Sequence, residues 1–280
     1  MKLARYGERG AEKPGMIDAN GNLRDLSGVI DDLAGTVLAD LETLGTLDVA
    51  SLPLVEGNPR LGPCVGGTGK FMCIGLNYSD HAAETGMAIP SEPVLFMKAT
   101  SAICGPDDPI IIPRGSTRTD WEVELGIIIG KPGKYIDEAE AMDHVAGFCV
   151  VNDVSERDFQ IRHEGQWTKG KSCDNFGQIG PWLVTPDEVK DVQNLRLWLE
   201  VNGEIMQDGS TATMVFGVAH IVSYLSRFFT LHPGDIISTG TPPGVGMGKK
   251  PPRFLKPGDV VHLGIEGLGE QQQEVIADPA

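Results

Sequence analysis

The sequence predicts an α+β chain that is mostly β. Three observations carry that reading. Short runs rich in Val, Ile and Phe recur between Gly and Pro residues, which is the composition and punctuation of strands. Two Asn-Gly pairs, Asn20-Gly21 and Asn202-Gly203, stand between apolar runs and mark tight hairpins. Against these, the strongest helix is Met214–Phe228, with Val215, Val218, Val222 and Leu225 along one side.

In chain order, residues 1–65 read as a small α+β domain and 66–280 as the main one. The first holds the Gly15–Leu23 hairpin and a helical spacing of Ile30, Leu33, Val37, Leu38, Leu41 and Leu44, as one helix or two short ones. Its Arg24-Asp25 pair reads as a surface contact. The Gly/Pro-rich segment Gly57–Gly69 reads as a linker. Strands are expected at Phe71–Gly75, Val94–Lys98, Ile110–Ile112, Trp121–Ile129 and Val145–Val154. Between the first two, Ser79 or Asp80 caps a short helix that Gly86 ends. Short helices are expected over Glu138–His144 and, capped by Ser155, over Glu156–His163, with Arg157, Asp158 and Arg162 as surface ion pairs. Trp167–Trp182 is Gly-bearing and aperiodic, so it reads as a loop. A hairpin over Leu195–Gln207, the long helix with His220 as a core or interface residue, and closing strands at Val260–Ile265 and Gln273–Ile276 complete the chain.

Composition narrows the function. The chain has 280 residues, 23 basic against 39 acidic, and a formal net charge of −16. That balance argues against nucleic acid and anionic membrane surfaces as partners. It does not exclude a small anionic substrate, because a metal and a few cations can make a site locally positive. No apolar run reaches a membrane span, and the N-terminus carries no signal-peptide core, so the expected compartment is the cytoplasm. Five scattered cysteines without a Cys-x-x-Cys pair predict neither a disulfide framework nor a zinc site.

Chemistry gathers at a few places. Glu122 and Glu124 lie two apart on a predicted strand and so share a face. Two carboxylates entering an apolar strand either lie on a solvated edge or are neutralised by a cation, and oxygen ligands suit a hard ion such as Mg²⁺ or Mn²⁺. Asp153, at the end of the next long β-run, could join them. His81 and Glu84, three apart on a short helix, match either a surface pair or a general base with its orienting carboxylate. A Lys of the Trp167–Trp182 segment either stays solvated or turns inward to meet an anion. After the strand at Asp235, a Gly/Pro loop offers backbone N–H groups and the Thr241 hydroxyl for a carboxylate or oxyanion.

Taken together and in this order, these segments resemble the fumarylacetoacetate hydrolase family. The resemblance rests on Gly75-Leu76-Asn77-Tyr78-x-x-His81-x-x-Glu84, Asp120-Trp121-Glu122-Val123-Glu124-Leu125-Gly126, Asn152-Asp153-Val154-Ser155-x-Arg157-Asp158-x-Gln160, Lys171-Ser172-x-Asp174-x-Phe176 and Thr239-Gly240-Thr241-Pro242-x-Gly244-Val245-Gly246. It runs from Phe71 to the C-terminus. It implies a mixed β-sandwich roll, a Mg²⁺ or Mn²⁺ held by Glu122, Glu124 and Asp153, and a homodimer. It also implies a water-activating His81–Glu84 dyad and, with Lys171, substrate contacts from Gln160, Thr241, Tyr78 and Gly240. Asn77 departs from the pattern, since some members place a fourth carboxylate near that point. A second departure is Gly177-Gln178, where many relatives carry a Pro.

The implied activity is hydrolysis of a C–C bond in a small 2-oxo acid of the acylpyruvate or 2,4-diketo-3-deoxy sugar acid type, yielding pyruvate and a carboxylic acid. The same scaffold also supports an oxaloacetate-type decarboxylase, a 2-oxo-dienoate isomerase or hydratase, and a non-catalytic small-acid sensor. The joint presence of His81 and Glu84 favours hydrolysis, because decarboxylation needs no activated water.

Overall fold

The computed structural model describes residues 1–80 and 89–279. It is an α+β fold in which β-structure dominates, as the sequence predicts. Ten strands form one large sheet. In spatial order they are β3 (Leu23–Asp25), β2 (Lys13–Ile17), β1 (Lys2–Tyr6), β12 (Gly177–Val184), β10 (Val145–Asn152), β9 (Val123–Ile129), β15 (Ile236–Ser238), β4 (Phe71–Gly75) and β5 (Val94–Lys98). The tenth, β6 (Ile103–Cys104), pairs with β12 in parallel. A second sheet runs β14 (Glu204–Ser210), β13 (Arg196–Val201), β16 (Val260–Ile265), β17 (Gly269–Ala277) and β7 (Ile110–Ile112). A two-strand ladder joins β8 (Thr119–Asp120) to β11 (Ser155–Glu156).

The large sheet buries both faces, which explains why β9 and β10 are continuous apolar runs rather than alternating ones. On one face Val123, Leu125, Ile127 and Ile129 of β9 pack with Leu197, Leu199, Val261 and Leu263 of the second sheet and with Val218, Ile221, Val222 and Leu225 of the Val218–Ser226 helix. On the other face Phe71, Cys73, Ile128, Cys149 and Val151 pack with Leu3, Leu33, Leu38 and Leu44 from the N-terminal segment. Each such side chain contributes about 1.5–3 kcal/mol on burial, so the N-terminal segment closes one face of the sheet. It also extends the sheet itself, because β1 pairs antiparallel with β12.

Several local expectations change. The Ile30–Leu44 spacing yields two short pieces, a 3-10 turn over Gly35–Ala39 and one α-turn over Glu42–Gly45, with Gly35 at φ +53° opening the first. Arg24 pairs with Asp18 at 2.8 Å rather than with Asp25. Glu138–His144 is a 3-10 turn. Ser155 caps no helix: its hydroxyl donates to the Asp153 carbonyl, Ser155–Glu156 forms β11, and only a wide turn over Asp158–Arg162 follows. The second half of Trp167–Trp182 is a buried strand, β12, flanked by β10 on one side and by β1 and β6 on the other. The expected helix at Met214–Phe228 shortens to Val218–Ser226, where His220 lies on the surface, bonded to Glu138 and stacked between Phe216 and Tyr224. The hairpin at Asn202-Gly203 forms as the sequence predicts, both residues adopting positive φ. Among the described residues no helix is long and apolar enough to cross a membrane.

Candidate metal centre and adjoining cavity

The site follows from strand parity. Since Val123 and Leu125 face the second sheet, Glu124 must project from the opposite face, and Asp153 shares parity with Val151. In the antiparallel register Val151 faces Glu124 and Asn152 faces Val123. One step further, the Asp153 N–H donates to the Glu122 carbonyl at 2.9 Å, placing the two residues side by side. The expected strand Trp121–Ile129 is therefore broken at its start. Asp120 lies in β8, and its carboxylate accepts from the backbone N–H groups of Trp121 at 2.9 Å, Gly246 at 2.7 Å and Met247 at 2.9 Å, turning the chain into β9.

Glu122, Glu124 and Asp153 converge, each offering an oxygen within 4.8 Å of the others. All three are buried. Isolated carboxylates in such an interior would each cost several kcal/mol, so the surrounding cations are indispensable. Lys171 turns inward and bridges Glu122 and Asp153, at 2.6 Å to each. Lys98, at the end of β5, bonds the other Asp153 oxygen and donates to the Val154 carbonyl at 3.1 Å. Arg157, expected on the surface, is instead buried and spans Asp120 at 2.8 Å and Glu122 at 2.7 Å. Its third contact, from Nη1, is to the Gln160 side-chain oxygen at 3.0 Å. Asp158 and Arg162 do form the expected ion pair, with Arg162 exposed.

The charges set the protonation states. Burial works to raise the Glu122 pKa, but Lys171 and then Arg157 outweigh it and hold it at about 2. Burial disfavours charge on Lys171, yet Asp153 and Glu122 keep its pKa above the ordinary lysine value. Glu124 differs. Burial, then the like charges of Asp153 and Glu122, push its pKa well above the carboxylate range. Its donors are the Ser238 hydroxyl and the Gly240 N–H, the latter at 2.8 Å. Three converging oxygen donors, one of them short of positive charge, fit a hard divalent cation such as Mg²⁺ or Mn²⁺.

A cavity of about 270 Å³ adjoins this cluster, lined by Glu122, Glu124, Arg157, Gln160, Lys171, Gly240 and Thr241 among others. Gly240 places its N–H on a carboxylate of the cluster. The Thr241 hydroxyl donates to the Val123 carbonyl at 2.8 Å and accepts from Gln207 at 2.8 Å. Tyr78 is fully buried, its hydroxyl has no hydrogen-bond partner among the described residues, and it is not among those that line this cavity. Asn77 is a structural clasp: its amide donates to the carbonyls of Phe216 at 3.0 Å and Thr239 at 2.8 Å, and its oxygen accepts from the Phe216 N–H at 2.8 Å. His81 and Glu84 lie outside the described residues.

Sequence reasoning missed Lys98, Asp120 and Ser238, and misplaced Arg157. Asp120 and Arg157 stand inside the motif segments, which was the available signal. Nothing local marks Lys98 or Ser238, each of which ends a short apolar strand.

Comparison with known proteins agrees with this geometry. Residues 70–276 match the family model for the fumarylacetoacetate (FAA) hydrolase C-terminal region. A Burkholderia multivorans protein, provisionally named a hydrolase, is 64% identical over 276 residues, covering 98% of each chain. The solved fumarylacetoacetate hydrolase of Exiguobacterium antarcticum superimposes with a TM-score of 0.88 at 38% identity, covering 99% of this chain and 100% of that one. The maleylpyruvate hydrolase of Sphingobium sp. SYK-6, solved with manganese(II) and pyruvate, superimposes with a TM-score of 0.82 at 27% identity, covering 99% of each chain. The strand-borne carboxylates, the cavity beside them and these matches lead to one conclusion: the chain belongs to the fumarylacetoacetate hydrolase family.

Proposed function

We propose that the chain is a divalent-metal-dependent hydrolase that cleaves a C–C bond of a 1,3-diketo acid, of the acylpyruvate or 2,4-diketo-3-deoxy sugar acid type. The observation that carries this reading is the convergence of Glu122, Glu124 and Asp153 beside a buried, charged Lys171 and a cavity of about 270 Å³. The manganese and pyruvate held by the Sphingobium relative support it. Bound by the three carboxylates, Mg²⁺ or Mn²⁺ would supply Lewis acidity and a template for the 2-oxo acid end.

The remaining work falls to the chain. Arg157 holds Glu122 in place and steers the Gln160 amide. His81, oriented by Glu84, takes a proton from water. The water oxygen bonds to the distal carbonyl carbon while Lys171 turns an N–H toward the oxygen that gains charge. The C–C bond then breaks, its electron pair passing to the methylene carbon of the pyruvate half. That carbon takes up a proton, leaving pyruvate and a carboxylic acid.

Acylpyruvate turnover, followed by loss of enol absorbance with coupled pyruvate detection, tests the proposal. With Mg²⁺ or Mn²⁺ pyruvate should form, and EDTA should abolish it. Activity confined to oxaloacetate would overturn hydrolysis in favour of decarboxylation.

A further inference from the structure

The cavity has two kinds of lining. One is the charged cluster with Gln160. The other is apolar and includes Ile74, Phe96, Ile161, Trp167, Val245 and Met247. The apolar part is built rather than incidental. Gly75 lacks a side chain where a Cβ would lie 2.6 Å from the Trp167 ring, so the indole can settle against the end of β4. Trp167 meets Phe96 edge to face at 5.3 Å, and Phe96 in turn lies 5.1 Å from the Lys171 ammonium. The aromatic pair thus begins where the charged cluster stops.

Among the described residues that line the cavity, Arg157 and Lys171 are the cations, and both are committed. Arg157 is spanned by Asp120 and Glu122, and Lys171 by Glu122 and Asp153. A substrate carboxylate placed against Trp167, Phe96 and Ile161 would be desolvated without a counter-ion, at a cost of several kcal/mol. A hydrocarbon end would instead gain from burying its surface there.

Building on the hydrolase reading, we infer that the acyl group of the substrate is uncharged and ends in a hydrocarbon, a methyl or short alkyl terminus, so that dicarboxylic 2-oxo acids are excluded. The 2-oxo acid end would go to the metal held by the carboxylate cluster, and Trp167, Phe96, Ile161 and Met247 would take the other.

The test compares two stable ligands, 2-oxohexanoate and 2-oxoadipate, which differ only in a terminal methyl against a terminal carboxylate. Their affinities for the full chain are measured calorimetrically in excess Mg²⁺. An unpartnered buried carboxylate predicts that 2-oxohexanoate binds at least about 10-fold more tightly. Equal or tighter binding of 2-oxoadipate, or binding of neither, would overturn the inference. Trp167→Ala should erase most of the preference by weakening 2-oxohexanoate, and a preference that survives intact would count against the aromatic wall. Neither ligand has the second carbonyl needed for cleavage. Their affinity ratio therefore decides this point even if acylpyruvates are not hydrolysed, a result that would strike the hydrolase reading alone.

Discussion

Arg157 shows how one residue can hold a site together without joining its chemistry. Its guanidinium spans Asp120 and Glu122, and Asp120 in turn accepts three backbone N–H groups, two of them from the loop at Gly246 and Met247. The planar guanidinium reaches Asp120, Gln160 and Glu122 from three separate nitrogens in one fixed geometry, which the point charge of a lysine ammonium does not reproduce. Arg157→Lys is therefore expected to lower kcat/KM by about 10- to 100-fold through the misplaced Glu122, read from steady-state kinetics. The exposed Arg162→Lys should leave stability within about 0.5 kcal/mol of wild type. Charge pattern alone could not separate these two arginines, although only Arg157 stands in a motif segment. Glu156-Arg157-Asp158 has the pattern of a solvated helix face, and what distinguishes Arg157 is a carboxylate 37 positions earlier in the chain. Glu122 and Glu124 drew notice because two acidic residues entering an apolar run conflict with their surroundings, whereas the set of three with Asp153 came from the family resemblance.

At the scale of elements, the loop after β15 carries the precision. Gly240 has φ +98°, and a Cβ there would lie 2.9 Å from that of Asn77 and 3.1 Å from the Ile74 carbonyl. Gly240→Ala should thus shift the loop and withdraw its N–H from Glu124. The expected result is metal affinity weakened by about 10-fold or more, measured by titrating Mn²⁺. Unchanged affinity would show that the N–H does not position the carboxylate. β12 teaches the complementary lesson about reading elements. Gly177-Gln178-Ile179-Gly180-Pro181 has the composition of a loop, yet it lies buried inside the large sheet. Its Gly177 is required by packing, since a Cβ would stand 2.8 Å from the Phe71 ring. Long-range pairing overrode local propensity there. Where turn chemistry was explicit, as at Asn202-Gly203, the element was readable directly.

For the whole molecule, the family match begins at residue 70, but the packing does not. β1 pairs with β12, and Leu3, Leu33, Leu38 and Leu44 share a core with Phe71, Cys73 and Val151. A chain truncated to residues 70–280 would expose that face of the sheet and should lose cooperative unfolding, with increased binding of a hydrophobic dye. A truncated chain that unfolds with the wild-type midpoint would show that the N-terminal segment is dispensable. The mostly β class was readable from recurring short strands, whereas the continuity of the N-terminal strands with the large sheet depends on pairings between distant segments. The most direct test of the proposed chemistry is acylpyruvate cleavage in ¹⁸O-labelled water, with Mn²⁺ present or chelated. Hydrolysis predicts one labelled oxygen in the released carboxylic acid, formed only with the metal. Unlabelled acid, or equal cleavage after chelation, would contradict it.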